Sequence, residues 1–436
     1  MRYSDILKID YLLLIPVIVL LALGILFIYS SGVTHEGVQV SREYIKQIIW
    51  ASSGIIAVIV LSMINYRGFY NISVYIYIAS LLPLLYMIIF GKTLDAAARW
   101  LRIGSFGIQI SEFLKISVII LLARYLADTD HNREAFSRFL ISALIVFFPM
   151  GIVLLQPDLG TALVFIAILI TMTFLSGVAT RYVAFLGACI ALTAVFLLLP
   201  LWQTYILRAR LPFIAILTNP KIILITTMFL FVMAAIAIFG YLKFKKRYFY
   251  WLVYSSSIIA LSLVISYAAR LVLKNYQLMR LIVFLDPNVD PRGAGWNIIQ
   301  SITAIGAGGL TGRGYLQGTQ SHYQFLPEQS TDFIFSIFSE ETGFLGGLAV
   351  FALFLIIFHR VIVTMKTTID PFAKYICGGL LGMYSFHFII NIGMTMGIMP
   401  ITGIPLLFLS YGGSSVISAM IGVGIVLSIF IRRHNR

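Results

Sequence analysis

The stretch Tyr11-Leu12-Leu13-Leu14-Ile15-Pro16-Val17-Ile18-Val19-Leu20-Leu21-Ala22-Leu23-Gly24-Ile25-Leu26-Phe27-Ile28-Tyr29 runs for nineteen residues without a charge. As a helix rising ~1.5 Å per residue, it is long enough to cross the ~30 Å hydrocarbon core of a bilayer. A helix that is apolar all round belongs inside a large core or a membrane. No small-residue cleavage site clearly follows it, so it reads as a retained first span rather than a signal peptide. Eleven further apolar runs lie at 45–64, 70–90, 108–126, 138–155, 159–177, 181–200, 222–242, 248–272, 332–358, 373–397 and 406–431. Together they predict an all-α, polytopic transmembrane helical bundle of about ten to twelve spans. One membrane domain is expected over 1–436, with its longest loop, 273–331, ahead of the last three spans.

Composition agrees. Of 436 residues, 60% are apolar and 11% charged, and the mean hydropathy is +0.98. So few charges cannot cover a water-facing surface, which excludes a soluble enzyme, a coiled coil and a disordered chain. The net charge of +14 would point to nucleic acid in a soluble domain. Here the basic residues occupy short loops between apolar runs, where they orient spans, so no nucleic-acid partner is expected. Arg2, Lys8, Arg67, Arg133, Arg138, Arg181, the turn Lys243-Phe244-Lys245-Lys246-Arg247, Arg360, Lys366, Lys374, Arg432, Arg433 and Arg436 fall in alternate loops. That pattern puts both termini in the cytoplasm and the loops 91–109 and 273–331 outside. Cys189 and Cys377 each lie within an apolar run, so neither a disulfide framework nor a zinc site is implied.

Chemistry is therefore expected on the outer side, where the long loops lie. The densest polar cluster is Leu285-Asp286-Pro287-Asn288-Val289-Asp290-Pro291-Arg292-Gly293-Ala294-Gly295-Trp296. Such a turn can hold a carboxylate beside Arg280 and Arg292, or its aspartates can simply cap their own backbone. The glycines at 306, 308, 309, 312 and 314, with Arg313 among them, suit either a phosphate cradle or a flexible loop. The loop 91–109 adds Asp95, Arg99, Trp100 and Arg102.

Within the spans, Glu112 and Lys115 share one helix face, and intramembrane charges are rare and usually face the protein interior. Their alternative is to snorkel to the interface. Asp158 in Gln156-Pro157-Asp158-Leu159-Gly160-Thr161 suits an N-cap, or a role in ordering an outer cavity. Glu340 and Glu341 raise the same question as Glu112, while His322, His359 and His387 show no metal spacing. The small residues of Ser410-Tyr411-Gly412-Gly413-Ser414-Ser415 permit close helix packing or an open cavity.

The segment Asp286–Ser301, with its Asp-Pro-x-x-Asp-Pro-x-Gly-x-Gly-Trp pattern, resembles the SEDS family (shape, elongation, division and sporulation). So do Gly318-Thr319-Gln320-Ser321, Phe325-Leu326-Pro327-Glu328, Thr331-Asp332-Phe333-Ile334-Phe335, the segment 156–161, Asn391-Ile392-Gly393-Met394 and Ser410-Tyr411-Gly412-Gly413-Ser414, in the family's order. The resemblance implies a peptidoglycan glycosyltransferase that polymerises lipid II by β-1,4 bonds on the outer face of the bacterial cytoplasmic membrane. Phe325–Gln329 and the Gly-Thr-Gln stretch look closer to the elongation branch, which serves cell shape, than to the division branch, the neighbouring alternative.

The family's essential loop aspartate falls on Asp290, which implies a general base. Its intramembrane pair falls on Glu112 and Lys115. On that reading Arg280, Arg292 and Arg102 are candidates for binding the pyrophosphate, with a divalent cation (Mg2+ or Mn2+) as the one cofactor to consider. Glu112, Lys115, Asp158 and Asp286 would shape the cavity. Implied partners are lipid II, the undecaprenyl-pyrophosphate-linked glycan, a class B penicillin-binding transpeptidase and other elongation-complex membrane proteins.

The sequence departs from the family pattern at Ile110, Ser330 and Leu407, where the family has Pro, His and Pro. Residues 201–275 look like a two-helix insertion, since the family has about ten spans. A rival from another class is a lipid II flippase, for which charged spans would line a headgroup path and the outer loop would be idle. A scaffold that only recruits the transpeptidase leaves both the loop aspartate and the intramembrane charges unexplained.

Overall fold

The computed structural model describes residues 9–90, 100–103, 106–129, 134–209 and 211–433. Arg2, Lys8, Asp95, Arg99, Arg133 and Arg436 lie outside the described residues, as does the side chain of Arg102. The helices are α1 (Tyr11–Ser31), α2 (Glu43–Met63), α3 (Arg67–Phe90), α4 (Ile110–Asp128), α5 (Ala135–Leu155) and α6 (Leu159–Leu175). They continue as α7 (Thr180–Trp202), α8 (Ala215–Thr218), α9 (Pro220–Phe244), α10 (Arg247–Val272), α11 (Asn275–Leu285) and α12 (Ala294–Ala307). Last come α13 (Thr319–His322), α14 (Ile334–Thr367), α15 (Pro371–Thr395) and α16 (Gly413–Arg432).

Every apolar run of the sequence contains a helix. Among the described residues, ten helices are long and apolar enough to cross a membrane. The two remaining runs are α6, with 17 residues, and α4, which carries Glu112, Lys115, Arg124 and Asp128. The chain is a multi-pass membrane protein. A short antiparallel pair, β1 (Leu101–Ile103) with β2 (Phe106–Ile108), departs from the all-α description.

The helix ends follow local chemistry. Asn219 and Asp370 each precede a proline, and their side chains accept from the backbone N–H of Lys221 at 3.0 Å and of Phe372 at 2.9 Å. An Asx cap followed by Pro at the first helical position starts α9 and α15 for the same reason. Lys245 adopts a left-handed conformation (φ 51°) and ends α9 inside the basic turn.

The residues divide into two compact units, Ala179–Trp296 and the remainder. In the larger unit the core lies around α15 and α16, whose most apolar stretches are 72% and 78% buried against 17% for α3. Helix α16 packs along α2, where glycine lets the backbones approach: a Cβ at Gly424 would sit 3.1 Å from Val58 Cα. In the smaller unit, α9 and α10 form a hairpin joined by the Lys245–Lys246 turn, and α10 also packs on α7. Ser262 on α10 donates to Cys189 O at 3.2 Å, and the Arg270 guanidinium holds the carbonyls of Phe196 and Leu217.

Three expectations need correction. The final span begins at Gly413 rather than 406, because Leu406–Ser410 form a buried turn closed by the Ser410 hydroxyl, which accepts from Leu406 N at 2.9 Å. The loop 273–331 contains α11, α12 and α13 rather than unstructured chain. Arg138 and Arg360 do not occupy loops. Arg138 is buried within α5 and donates to Leu126 O at 2.8 Å and Ser176 O at 2.9 Å, satisfying helix-end carbonyls that would otherwise be orphaned. Arg360 lies within α14 and pairs with the buried Asp10 at 2.8 Å.

Candidate active site

In the smaller unit, the turn between α11 and α12 gathers the candidate aspartates. Asp286 accepts from Asn288 N at 2.9 Å and Asn288 Nδ2 at 3.0 Å, starting a 3-10 turn at Pro287–Val289. Asp290 is half-buried, and its Oδ2 accepts from Ala294 N at 2.9 Å, the first residue of α12. Both aspartates thus serve the local backbone, as their spacing allowed. Capping occupies one carboxylate oxygen of Asp290, and its Oδ1 has no hydrogen-bond partner among the described residues.

Two glycines set the shape of this turn. A Cβ on Gly293 would stand 2.2 Å from Asp290 Oδ2, and one on Gly295 would stand 2.1 Å from Pro287 O and 2.5 Å from Asp290 O. The carboxylate therefore rests against bare backbone, which only glycine permits. Arg292 is exposed at the tip of the same turn. Arg280 lies one element earlier, on α11, with its guanidinium 5.7 Å from the Tyr276 ring centroid. Arg102 belongs to the other unit, in β1, paired in register with Gly107.

In the larger unit, Glu112 and Lys115 are both buried, and Lys115 Nζ donates to Glu112 Oε2 at 2.8 Å. They do not snorkel. Lys115 Nζ also stands 3.1 Å from His387 Nε2, and His387 Nδ1 stands 3.0 Å from Pro405 O. Sequence reasoning missed His387, because 272 residues separate it from Lys115 and one histidine carries no spacing signal. Asp158 caps α6 by accepting from Thr161 N at 3.2 Å and Thr161 Oγ1 at 2.9 Å. It also accepts from Gln109 Nε2 at 2.8 Å, while Gln109 N donates to Ser414 Oγ at 2.8 Å. These bonds tie the starts of α4, α6 and α16 together, and Asp158 is the N-cap of α6.

Glu340 and Glu341 are buried near a break in α14 at Gly343 (φ 70°, ψ −165°). The break frees carbonyls, and the glycine-rich stretch fills it: Arg313 N donates to Glu340 O and Gly314 N to Glu341 O, each at 3.0 Å. In return Phe344 N donates to Gly309 O at 2.9 Å. This stretch is packed against a broken helix, and those N–H groups are not free to cradle phosphate. Glu340 Oε1 accepts from Thr319 N at 2.7 Å and Gln320 N at 3.0 Å. Glu341 accepts from Ser30 Oγ and from Leu316 N, and its charge, after burial, pushes the Tyr315 phenol above its ordinary pKa. The intramembrane carboxylates thus hold the 313–322 segment in place.

A family model described as cell cycle protein, covering FtsW, RodA and SpoVE, matches residues 11–221 and 205–435. The chain belongs to the FtsW/RodA/SpoVE family. Among FtsW/RodA/SpoVE proteins it is 46% identical to "Peptidoglycan glycosyltransferase RodA" of Treponema pallidum, over 99% of this chain and 100% of that one. It is 30% identical to "Peptidoglycan glycosyltransferase MrdB" of Escherichia coli, over 99% and 96% respectively. The fold is that of two solved proteins. One comes from a study titled "Structural coordination of polymerization and crosslinking by a peptidoglycan synthase complex" (TM-score 0.68, 24% identity, 98% of this chain and 99% of that chain). The other is the Thermus thermophilus rod shape determining protein RodA (TM-score 0.59, 20% identity, 98% of each chain). The two matches of the family model meet and overlap at 205–221, inside the segment read as an insertion.

Proposed function

We propose that the chain is a peptidoglycan glycosyltransferase that polymerises lipid II during cell elongation. The observation that carries this reading is 46% identity, over 99% of the chain, to a protein named as a peptidoglycan glycosyltransferase. Asp290 acts as general base, taking the proton of the acceptor sugar hydroxyl on lipid II. The freed oxygen attacks the α-anomeric carbon of the growing glycan, and the bond to undecaprenyl pyrophosphate breaks as the β-1,4 bond forms. One displacement inverts the centre, so one carboxylate suffices. The capping bond from Ala294 N fixes Oδ2 of that carboxylate, and Oδ1 is the oxygen left to accept the proton.

Arg280 and Arg292, in the same unit as Asp290, stabilise the departing pyrophosphate through their charge. Among the described residues no group of three or more His, Cys, Asp or Glu is arranged to hold a metal ion. The steps above use no metal ion; a Mg2+ or Mn2+ ion would supply further positive charge for the departing pyrophosphate. Asp286 shapes the turn that carries Asp290, and Glu112, Lys115 and Asp158 order the helices of the larger unit. Both termini lie in the cytoplasm of a bacterial cell, and 273–331 lies outside. The runs 222–242 and 248–272 form a peripheral inserted hairpin, and a class B penicillin-binding transpeptidase crosslinks the product. The purified chain, alone and with that transpeptidase, is to be supplied with lipid II and its products separated on a gel. Glycan ladders support the reading. Lipid II moved between leaflets without any polymer favours the flippase.

A further inference from the structure

His387 is 1% exposed on α15, and no step of the reaction above uses it. Its surroundings fix its proton. Nδ1 faces Pro405 O at 3.0 Å, and a carbonyl oxygen only accepts, so Nδ1 carries hydrogen. Nε2 faces the Lys115 ammonium at 3.1 Å, and an ammonium only donates, so Nε2 offers its lone pair. Glu112 Oε2 accepts from Lys115 Nζ at 2.8 Å, and Glu112 itself accepts from Ser418 Oγ at 3.4 Å. His387 is therefore neutral, in the Nδ1–H form. The chain of bonds runs from a carboxylate through an ammonium and an imidazole to the backbone of the turn Pro400–Pro405.

We infer that His387 is a positioning residue for polymerisation: it fixes the Lys115 ammonium at a second point and locks the Glu112–Lys115 pair to the Pro400–Pro405 turn. With Glu112 as its only partner, a lysine on four rotatable bonds could swing about the carboxylate, leaving two N–H groups unmet in a dry interior. The imidazole removes that freedom, and its other nitrogen transmits the position to a turn of the chain that no bond from Glu112 reaches. The same turn is anchored independently by Asn391, whose Nδ2 donates to Ile404 O at 2.8 Å, so losing His387 loosens the link to Lys115 without releasing the turn. This inference rests on the glycosyltransferase reading above.

Three variants separate the roles. His387→Gln puts an acceptor near the Nε2 position, His387→Asn a donor near the Nδ1 position, and His387→Leu neither. At matched folded amount, His387→Gln should retain most polymerisation, whereas His387→Asn and His387→Leu should lose about tenfold or more, the scale of a hydrogen bond to a charged group. Nitrogen-15 NMR of histidine-labelled protein should show His387 protonated at Nδ1 alone, with its Nε2 signal shifting in Lys115→Met. If His387→Leu does not fold, the comparison of Gln with Asn decides, and equal activity of those two overturns the role. Undiminished polymer from a folded His387→Leu, or a proton found on Nε2 alone, also overturns it. No polymer from the unmodified chain with its transpeptidase overturns the glycosyltransferase reading instead, and the positioning role falls with it.

Discussion

Lys115 Nζ lies 2.8 Å from Glu112 Oε2 within one turn of α4, and neither side chain is more than 4% exposed. A buried pair of this kind is a weak source of net stability, because desolvation offsets most of the attraction. Its removal by halves is another matter.

Substituting Glu112→Ala or Lys115→Ala alone strands a charge in low dielectric and should cost about 3–5 kcal/mol. The double variant Glu112→Leu/Lys115→Met strands none and should be closer to the unmodified protein in thermal unfolding. Single variants that unfold at the unmodified temperature would contradict the buried charge state.

The Asp290 turn should be more sensitive to Gly295→Ala than to Gly293→Ala. At Gly295 the added methyl meets backbone oxygens of Pro287 and Asp290, which cannot turn aside; at Gly293 it meets the Asp290 carboxylate, which can. Overpacking at Gly295 should cost about 1–3 kcal/mol and displace the start of α12. Equal unfolding temperatures for the two variants would show that the turn relaxes freely.

The division between what was legible and what was not follows contact distance. Hydrophobic runs are local, so the twelve apolar helices could be placed from sequence. The caps at Asp158 and Asp286 were legible for the same reason. Amphipathic α11 was written in Leu278, Ile282 and Leu285, at helical spacing, but the proline, glycine and polar residues around it read as loop. The buried roles of Arg138 and His387 depend on carbonyls and side chains far away in sequence, and a single chain gives no signal for those. The break at Gly343 was masked because the run 332–358 reads as one continuous span in spite of Glu340 and Glu341.

Orientation is open to direct labelling. Cys189 and Cys377 are buried, so an impermeant thiol reagent should find little background. A cysteine at Asn288 should react from outside intact cells, and one at Lys245 should not. The reverse pattern would move the Asp290 turn to the cytoplasm and remove it from outward-facing chemistry.

Excising α9 and α10 in frame, residues 220–272, should leave measurable polymerisation if the hairpin is a peripheral insertion. Stability should fall, because Arg270 goes with it and Leu217 O and Phe196 O lose their donor. A folded deletion variant without any activity would show that the hairpin builds the catalytic cavity.

The central claim concerns Asp290 and is most directly tested by Asp290→Asn. An asparagine side-chain oxygen can still accept from Ala294 N, so the turn and the helix start should persist and lipid II should still bind. What is lost is the proton acceptor, which should lower the polymerisation rate by ~10²–10⁴ and erase the glycan ladder. Asp286→Asn, which alters only the cap on Asn288, should be milder. Robust polymerisation by a folded Asp290→Asn chain would contradict the account.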